Sequence, residues 1–319
     1  MLKHISKKYG AVRIGITQGE LSGISPEIIA KTLEKLNLDK TLEVVIIATP
    51  KGKKFIQSNL KKKLSPQVEF IIPDKKAIPS KIRRDEALSC IYYGAMLAAL
   101  GELDAIVTAP IDKNKVSKNY KGFSGHTGFL KDIFRSRSAL MLMSTPSFKI
   151  GIMTEHLPVK DIQKNITKNR IIEAAKLMNN FLSKIKKNPI INILSLNPHS
   201  GDMGLIGREE IKIIVPAIKQ LNKMGIRAVG PTPADSAFVT DTKSRYDGFI
   251  AMYHDQGMIP AKMRGLDSLV NITLGLPIIR TSPGHGVAYD IAGTGKASAG
   301  SMVRAVNQAI DMALLNRIE

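Results

Sequence analysis

A chain of 319 residues with 44% hydrophobic content is long enough for one large or two medium domains with a buried core. Its single cysteine, Cys90, excludes a disulfide framework and fits a reducing cytoplasm, and no apolar run reaches the roughly 18 residues of a membrane span, so a soluble cytoplasmic protein is expected. The formal charge of +20 raises nucleic-acid binding, but aromatics are only 5% and the lysines are scattered, so a lysine-rich solvated surface is the simpler reading; its positive field also helps capture a small anionic substrate.

Short apolar segments alternate with longer helical ones, which predicts an α/β protein with largely parallel sheets. Strands are predicted at residues 12–16, 44–48, 68–72, 105–108, 150–153, 190–194, 248–252 and 270–274. Helices are predicted at 158–182, 209–223 and 298–315, and an apolar helical run at 87–100 makes Cys90 a core residue. Ligands of such sheets bind beyond the carboxyl ends of the strands. The loops with unusual residues all follow predicted strands: 17–25, 108–127, 154–158, 197–207 and 253–262.

The first loop runs Thr17-Gln18-Gly19-Glu20-Leu21-Ser22-Gly23-Ile24-Ser25-Pro26, with Ser25 a good N-cap and Pro26 suited to a first helical turn. Its glycines fit either an anion site or a plain strand-to-helix turn. The second carries Thr108-Ala109-Pro110-Ile111-Asp112-Lys113 and then Gly122-Phe123-Ser124-Gly125-His126-Thr127. A lysine, hydroxyls and a histidine around glycines can hold phosphate or carboxylate, or Thr127 can merely cap the next helix.

His156, His199 and His254 each end or follow a predicted strand and could converge on one divalent ion, leaving coordination positions open for substrate. They lie 43 and 55 residues apart, so spacing alone does not show convergence. Asp235 and Asp255 are candidates for orienting an imidazole or handling protons, or for capping helices. The string from His285 to Ala297 resembles the adenosine-binding loop of the metal-dependent decarboxylating dehydrogenases that act on isocitrate and 3-isopropylmalate. That likeness implies cofactor contacts at His285, Gly286, Ala288 and Asp290. No Gly-x-Gly-x-x-Gly follows the first strand, so an ordinary Rossmann site is not indicated.

Taken together, Gly-His-Thr, Glu-His-Leu-Pro, Leu-Asn-Pro-His, Pro-Ala-Asp, Tyr-His-Asp-Gln-Gly and Val-Asn-Ile-Thr-Leu-Gly-Leu-Pro-Ile-Ile-Arg-Thr-Ser resemble the 4-hydroxythreonine-4-phosphate dehydrogenase family of vitamin B6 biosynthesis, from about Ile14 to Met302. The resemblance implies two α/β/α subdomains of the isocitrate/isopropylmalate dehydrogenase type with a cleft between them, here residues 1–127 plus 297–319 and residues 128–296. It implies His156, His199 and His254 as metal ligands and His126, Thr127, Lys262, Asn271 and Arg280 as substrate contacts. Lys262, Asp255 and Asp235 are the candidates for proton transfer. The implied cofactors are NAD, or NADP, and one divalent cation (Zn, Mg, Mn or Co). The implied partners are a small phosphorylated substrate and a second copy of the chain sharing the active site, with no nucleic acid and no membrane.

The chain departs from the family pattern at Gln18, Leu21 and Ser22 of the first loop, at Ser200-Gly201-Asp202, and at Gly284, where relatives commonly carry Asp. Rival readings are a dehydrogenase of 4-phosphothreonate or 4-phosphoerythronate, a three-histidine metal hydrolase, and a basic nucleic-acid-binding protein.

Overall fold

The computed structural model describes residues 10–239 and 245–318. Its strands are β1 (Val12–Thr17), β2 (Leu42–Ile47), β3 (Val68–Ile71), β4 (Ala105–Thr108), β5 (Leu140–Ser144), β6 (Lys149–Ile152), β7 (Ile190–Leu194), β8 (Arg227–Thr232), β9 (Gly248–Ala251), β10 (Val270–Leu274) and β11 (Arg280–Pro283). The main helices are α1 (Ser25–Lys35), α2 (Pro50–Ser58), α3 (Glu86–Ala99), α4 (Lys113–Asn119), α5 (His126–Ile133), α6 (Val159–Asn165), α7 (Lys168–Ser183), α8 (Val215–Lys223), α9 (His254–Met263) and α10 (Gly300–Ile318).

The chain divides into two compact units, one of Met1–Arg135, Leu266–Asn271 and Leu276–Glu319, the other of Ser136–Gly265 and Ile272–Gly275. In the first unit the strands run β3-β2-β1-β4-β11, all parallel, with Ile14 level with both Val44 and Ala105 and Arg280 level with Ile106. These strands are nearly continuous apolar runs because helices cover both faces of a parallel sheet. Close helix packing depends on Gly94 of α3, where a Cβ would stand 2.7 Å from Ile47 Cδ1. Cys90 lies in this core, and burial pushes its thiol far above the ordinary range, which makes it inert.

In the second unit the order is β10-β5-β6-β9-β7-β8. The β5–β6 pair is antiparallel and β6, β9, β7 and β8 are mutually parallel. The α/β reading therefore holds, and all eight predicted strands form.

Three further strands were not expected, each for a physical reason. β5 is a Leu/Met run with little β-branching, β8 is interrupted by Gly230-Pro231, and β11 starts on an arginine and ends on a proline. The predicted helix 158–182 is two helices: Ile166 is extended and the Thr167 side chain accepts from the Arg170 amide, starting α7. The predicted helix 209–223 opens as a π-helix over Glu210–Ile214, upstream of Pro216, which has no N–H to donate into an α-turn. The units also divide differently from the expected boundaries. Residues 276–296 group with the first unit because β11 pairs with β4, which carries the His285 loop into that unit. Among the described residues no helix is long and apolar enough to cross a membrane.

Candidate active site

In the first unit, loops after β1, β4 and β11 gather the predicted ligand-binding residues. Asp112 caps α4, its Oδ1 accepting from the Asn114 and Lys115 amides at 2.8 and 3.2 Å. Gly125, at φ 127°, opens α5 in a conformation that only glycine adopts readily, and this sets His126 and Thr127 in the first turn. The His126 ring donates to the Ala109 backbone, and its Nε2 is sealed from solvent with no partner in the chain. Burial, then the Arg280 and Lys113 cations, hold its pKa well below the ordinary histidine range. The ring is therefore neutral and Nε2 is a lone-pair acceptor in a positive field.

Arg280 is 1% exposed, and its Nε and Nη2 donate to Thr108 Oγ1 at 3.1 and 2.6 Å. Thr127 is buried nearby in sequence, at the start of α5. Asn271, in β10, keeps a buried Oδ1 without a partner.

The 285–297 loop belongs to the same unit. His285 Nδ1 lies 3.1 Å from the Gly286 carbonyl, to which it donates, so the buried Nε2, again without a partner, is an acceptor. Burial lowers this pKa as well. Ala288 is left-handed (φ 42°), and Gly286 and Asp290 are exposed. A buried ring acceptor suits the exocyclic amino group of adenine, so the loop fits a dinucleotide. The glycine of the first loop has a packing role here: Ile24 donates to the Val287 carbonyl at 3.0 Å, and a Cβ on Gly23 would stand 2.7 Å from that oxygen.

In the second unit the structure brings together two of the three predicted metal ligands. The His156 and His254 rings lie 5.5 Å apart, centroid to centroid, tilted by 40°. His254 Nδ1 contacts Asp255 Oδ1 at 2.7 Å, an arrangement of the kind by which a carboxylate can orient a ligating imidazole. This pair suits a divalent transition ion.

His199 sits on the loop after β7, where residues His199 to Met203 all have φ between 41° and 80°. Buried Glu210 shapes that loop by accepting from the Leu196 and Asn197 amides at 2.9 and 2.8 Å. Among the described residues no three His, Cys, Asp or Glu side chains are grouped closely enough to hold an ion. Lys262 is exposed in the last turn of α9, and Asp235 is exposed in the short helix Ala234–Ala237.

Two residues escape sequence reasoning. Gln256 is buried, its Oε1 accepting from the Met252 amide and its Nε2 donating to the Ser195 carbonyl, both at 2.7 Å. It ties the loops after β7 and β9 together. Glu210 does the same within the His199 loop. Neither carries a signal in a single sequence, because a polar residue destined for burial looks like any surface residue.

An α/β scaffold whose first unit gathers His126, Lys113 and Arg280 suits an enzyme of a small anionic ligand. The sequence model of the family described as pyridoxal phosphate biosynthetic protein PdxA matches residues 21–309. A 4-hydroxythreonine-4-phosphate dehydrogenase of Bacteroides thetaiotaomicron is 36% identical over 94% of this chain and 88% of its own length. A D-threonate 4-phosphate dehydrogenase of Pectobacterium atrosepticum is 33% identical over 94% and 99%. The crystal structure of the 4-hydroxythreonine-4-phosphate dehydrogenase of Klebsiella pneumoniae superposes with a TM-score of 0.77 at 30% identity, covering 95% of this chain and 100% of that one. The chain belongs to the pyridoxal phosphate biosynthetic protein PdxA family and is a dehydrogenase.

Proposed function

We propose that the chain oxidises 4-phosphohydroxy-L-threonine with NAD to a β-keto acid, which decarboxylates to 3-amino-2-oxopropyl phosphate in pyridoxal phosphate biosynthesis. The observation that carries this reading is that, of eight buried side-chain atoms without partners among the described residues, three are acceptors on motif residues: His126 Nε2, Asn271 Oδ1 and His285 Nε2. A buried polar atom left unpaired costs about 1–3 kcal/mol, so a fold retains it where a ligand satisfies it. All three fall at positions that the motifs assign to substrate or cofactor.

Lys113 and Arg280 supply the positive field for the phosphate, and neutral His126 accepts from a substrate O–H or N–H. Thr127 and Asn271 complete the substrate contacts. His156, His199 and His254 are the residues that would hold a divalent ion (Zn, Mg, Mn or Co), with Asp255 against the His254 ring. A divalent ion held there would supply Lewis-acid polarisation of the substrate hydroxyl, and a bound NAD, or NADP, would supply the hydride acceptor. Lys262 handles the substrate carboxylate or the proton lost from the alcohol, with Asp235 the further candidate for proton transfer. His285, Gly286, Ala288 and Asp290 bind the adenosine half of the dinucleotide.

The enzyme works as a homodimer in the cytoplasm. Met203 and Leu205 on the His199 loop, and Ile259 and Met263 on α9, are large apolar side chains exposed on the single chain, Met203 to 90%. Exposure of that kind beside ligand-bearing loops marks a face that a second copy covers.

The test is NADH formation from 4-phosphohydroxythreonine with and without a chelator. No NADH with metal and substrate present defeats the proposal. A second reading, oxidation of 4-phosphothreonate, is favoured by the Pectobacterium relative's name. The two substrates differ in amine against hydroxyl beside the reacting carbon, so a side-by-side kcat/KM comparison separates them.

A further inference from the structure

Helix α1 carries a lysine–carboxylate pair that does more than decorate its surface. Lys31 Nζ lies 2.7 Å from Glu27 Oε1, one turn earlier, and donates to the backbone carbonyls of Gly295 and Ala297, also at 2.7 Å each. Glu27 Oε1 in turn accepts from the Ala297 amide at 3.1 Å. Glu27 is 4% exposed and Ala297 is buried, so the Glu27 side of the junction is shut off from water, while Lys31 is 24% exposed and its bond to Gly295 lies at the surface; the bonds are charge-assisted. Every bond holds one stretch of backbone, the C-terminal end of the 285–297 loop, some 264 to 270 residues from α1 in sequence.

Within that end the Thr294 amide and hydroxyl both donate to the Ile291 carbonyl, at 3.3 and 2.7 Å, and the Lys296 amide donates to Thr294 Oγ1 at 3.3 Å, local turns that do not tie it to α1. Gly293 and Gly295 have φ of 74° and 76°, and a Cβ on either would meet nothing within 4 Å. Backbone whose own bonds are local takes its course from the groups that tie it to the rest of the unit.

We infer that Lys31, braced by Glu27, is the positioning residue for the dinucleotide loop: it sets the course of residues 293–297 and through them the placement of His285, Gly286, Ala288 and Asp290. This rests on the reading of that loop as the cofactor site. Lys31 itself touches neither cofactor nor substrate in this role. Its removal therefore weakens cofactor affinity and spares the chemical step.

The experiment compares Lys31→Ala, Lys31→Arg and Asp290→Ala in the full chain. NAD is titrated directly onto the protein by calorimetry, and kcat and both KM values are measured. Amide hydrogen exchange of residues 293–297 is followed without cofactor. Lys31→Ala is expected to raise the NAD Kd and KM about tenfold, the scale of a lost charge-assisted hydrogen bond. The kcat and the substrate KM stay within about twofold, the 293–297 amides exchange faster, and Lys31→Arg recovers part of the affinity.

A fall in thermal stability with the NAD Kd unchanged reduces the pair to a structural staple and overturns the inference, as does an equal fall in kcat. If Asp290→Ala weakens NAD binding and Lys31→Ala does not, the loop reading stands and the positioning role fails. If neither variant changes the NAD Kd, the loop reading fails and takes this inference with it.

Discussion

Gly284 has no room for a side chain because Leu269 occupies the space: a Cβ on Gly284 would stand 2.6 Å from Leu269 Cγ and 2.9 Å from its Cβ. Leu269 is fully buried, and its carbonyl accepts from the Gly284 amide at 3.1 Å. The Asp that the family pattern leads one to expect before His285 has no room here. Gly284→Ala should cost about 1–3 kcal/mol by overpacking. In a double-mutant cycle with Leu269→Ala the two losses should be less than additive, because the truncation opens the space that the methyl needs. Additive urea-unfolding free energies would disprove the coupling.

Stability should decline on the acid side of neutrality through His126 and His285. Both have folded pKa values below the ordinary value, so the unfolded chain takes up protons first as pH falls. Their contribution is intact above about pH 6.5 and is lost as pH drops from there toward the folded values. Urea midpoints measured from about pH 7.5 down to about 5 should slope downward, and His126→Asn with His285→Asn should flatten the slope in that window.

Thr108→Val removes the hydroxyl that accepts from both Nε and Nη2 of buried Arg280. A loss of about 1–3 kcal/mol in stability is expected, as for any buried donor left short of an acceptor. A rise in substrate KM should accompany it, because the guanidinium loses two of the bonds that set its orientation. Wild-type stability and KM together would show that the pairing holds nothing in place.

Asp255→Asn keeps the shape of the His254 contact and removes its charge. Metal affinity should fall about 10–100-fold, with activity recovered at high metal concentration. A metal titration that overlays the wild-type curve would deny Asp255 its orienting role.

The architecture was largely legible because apolar strand runs of a parallel sheet are a strong signal, as at Val12–Thr17 and Leu42–Ile47. What escaped was set by tertiary context. Arg280 reads as a ligand-facing residue yet opens a buried strand, and only its pairing with Thr108 and the alignment with Ile106 explain that. The histidine motifs were legible, but the meeting of His156 with His254 depends on β6 and β9 being neighbours, which no local pattern encodes. The Glu27–Lys31 pair is visible as an i,i+4 couple, and the sequence offers no hint that it reaches Gly295. Gln256 and Glu210 are silent for the reason that burial of a polar group is decided by partners distant in the chain.

Strand β10 is divided: Val270 and Asn271 count with the first unit and Ile272 to Leu274 with the second. The polypeptide accordingly passes from one unit to the other at 135/136, 265/266, 271/272 and 275/276. No single cut can release either half intact. A recombinant piece spanning 136–265 would lack the strand that borders β5, leaving an apolar edge open to mispairing and aggregation, so dissection of this protein into autonomous halves should fail where it succeeds for beads-on-a-string proteins.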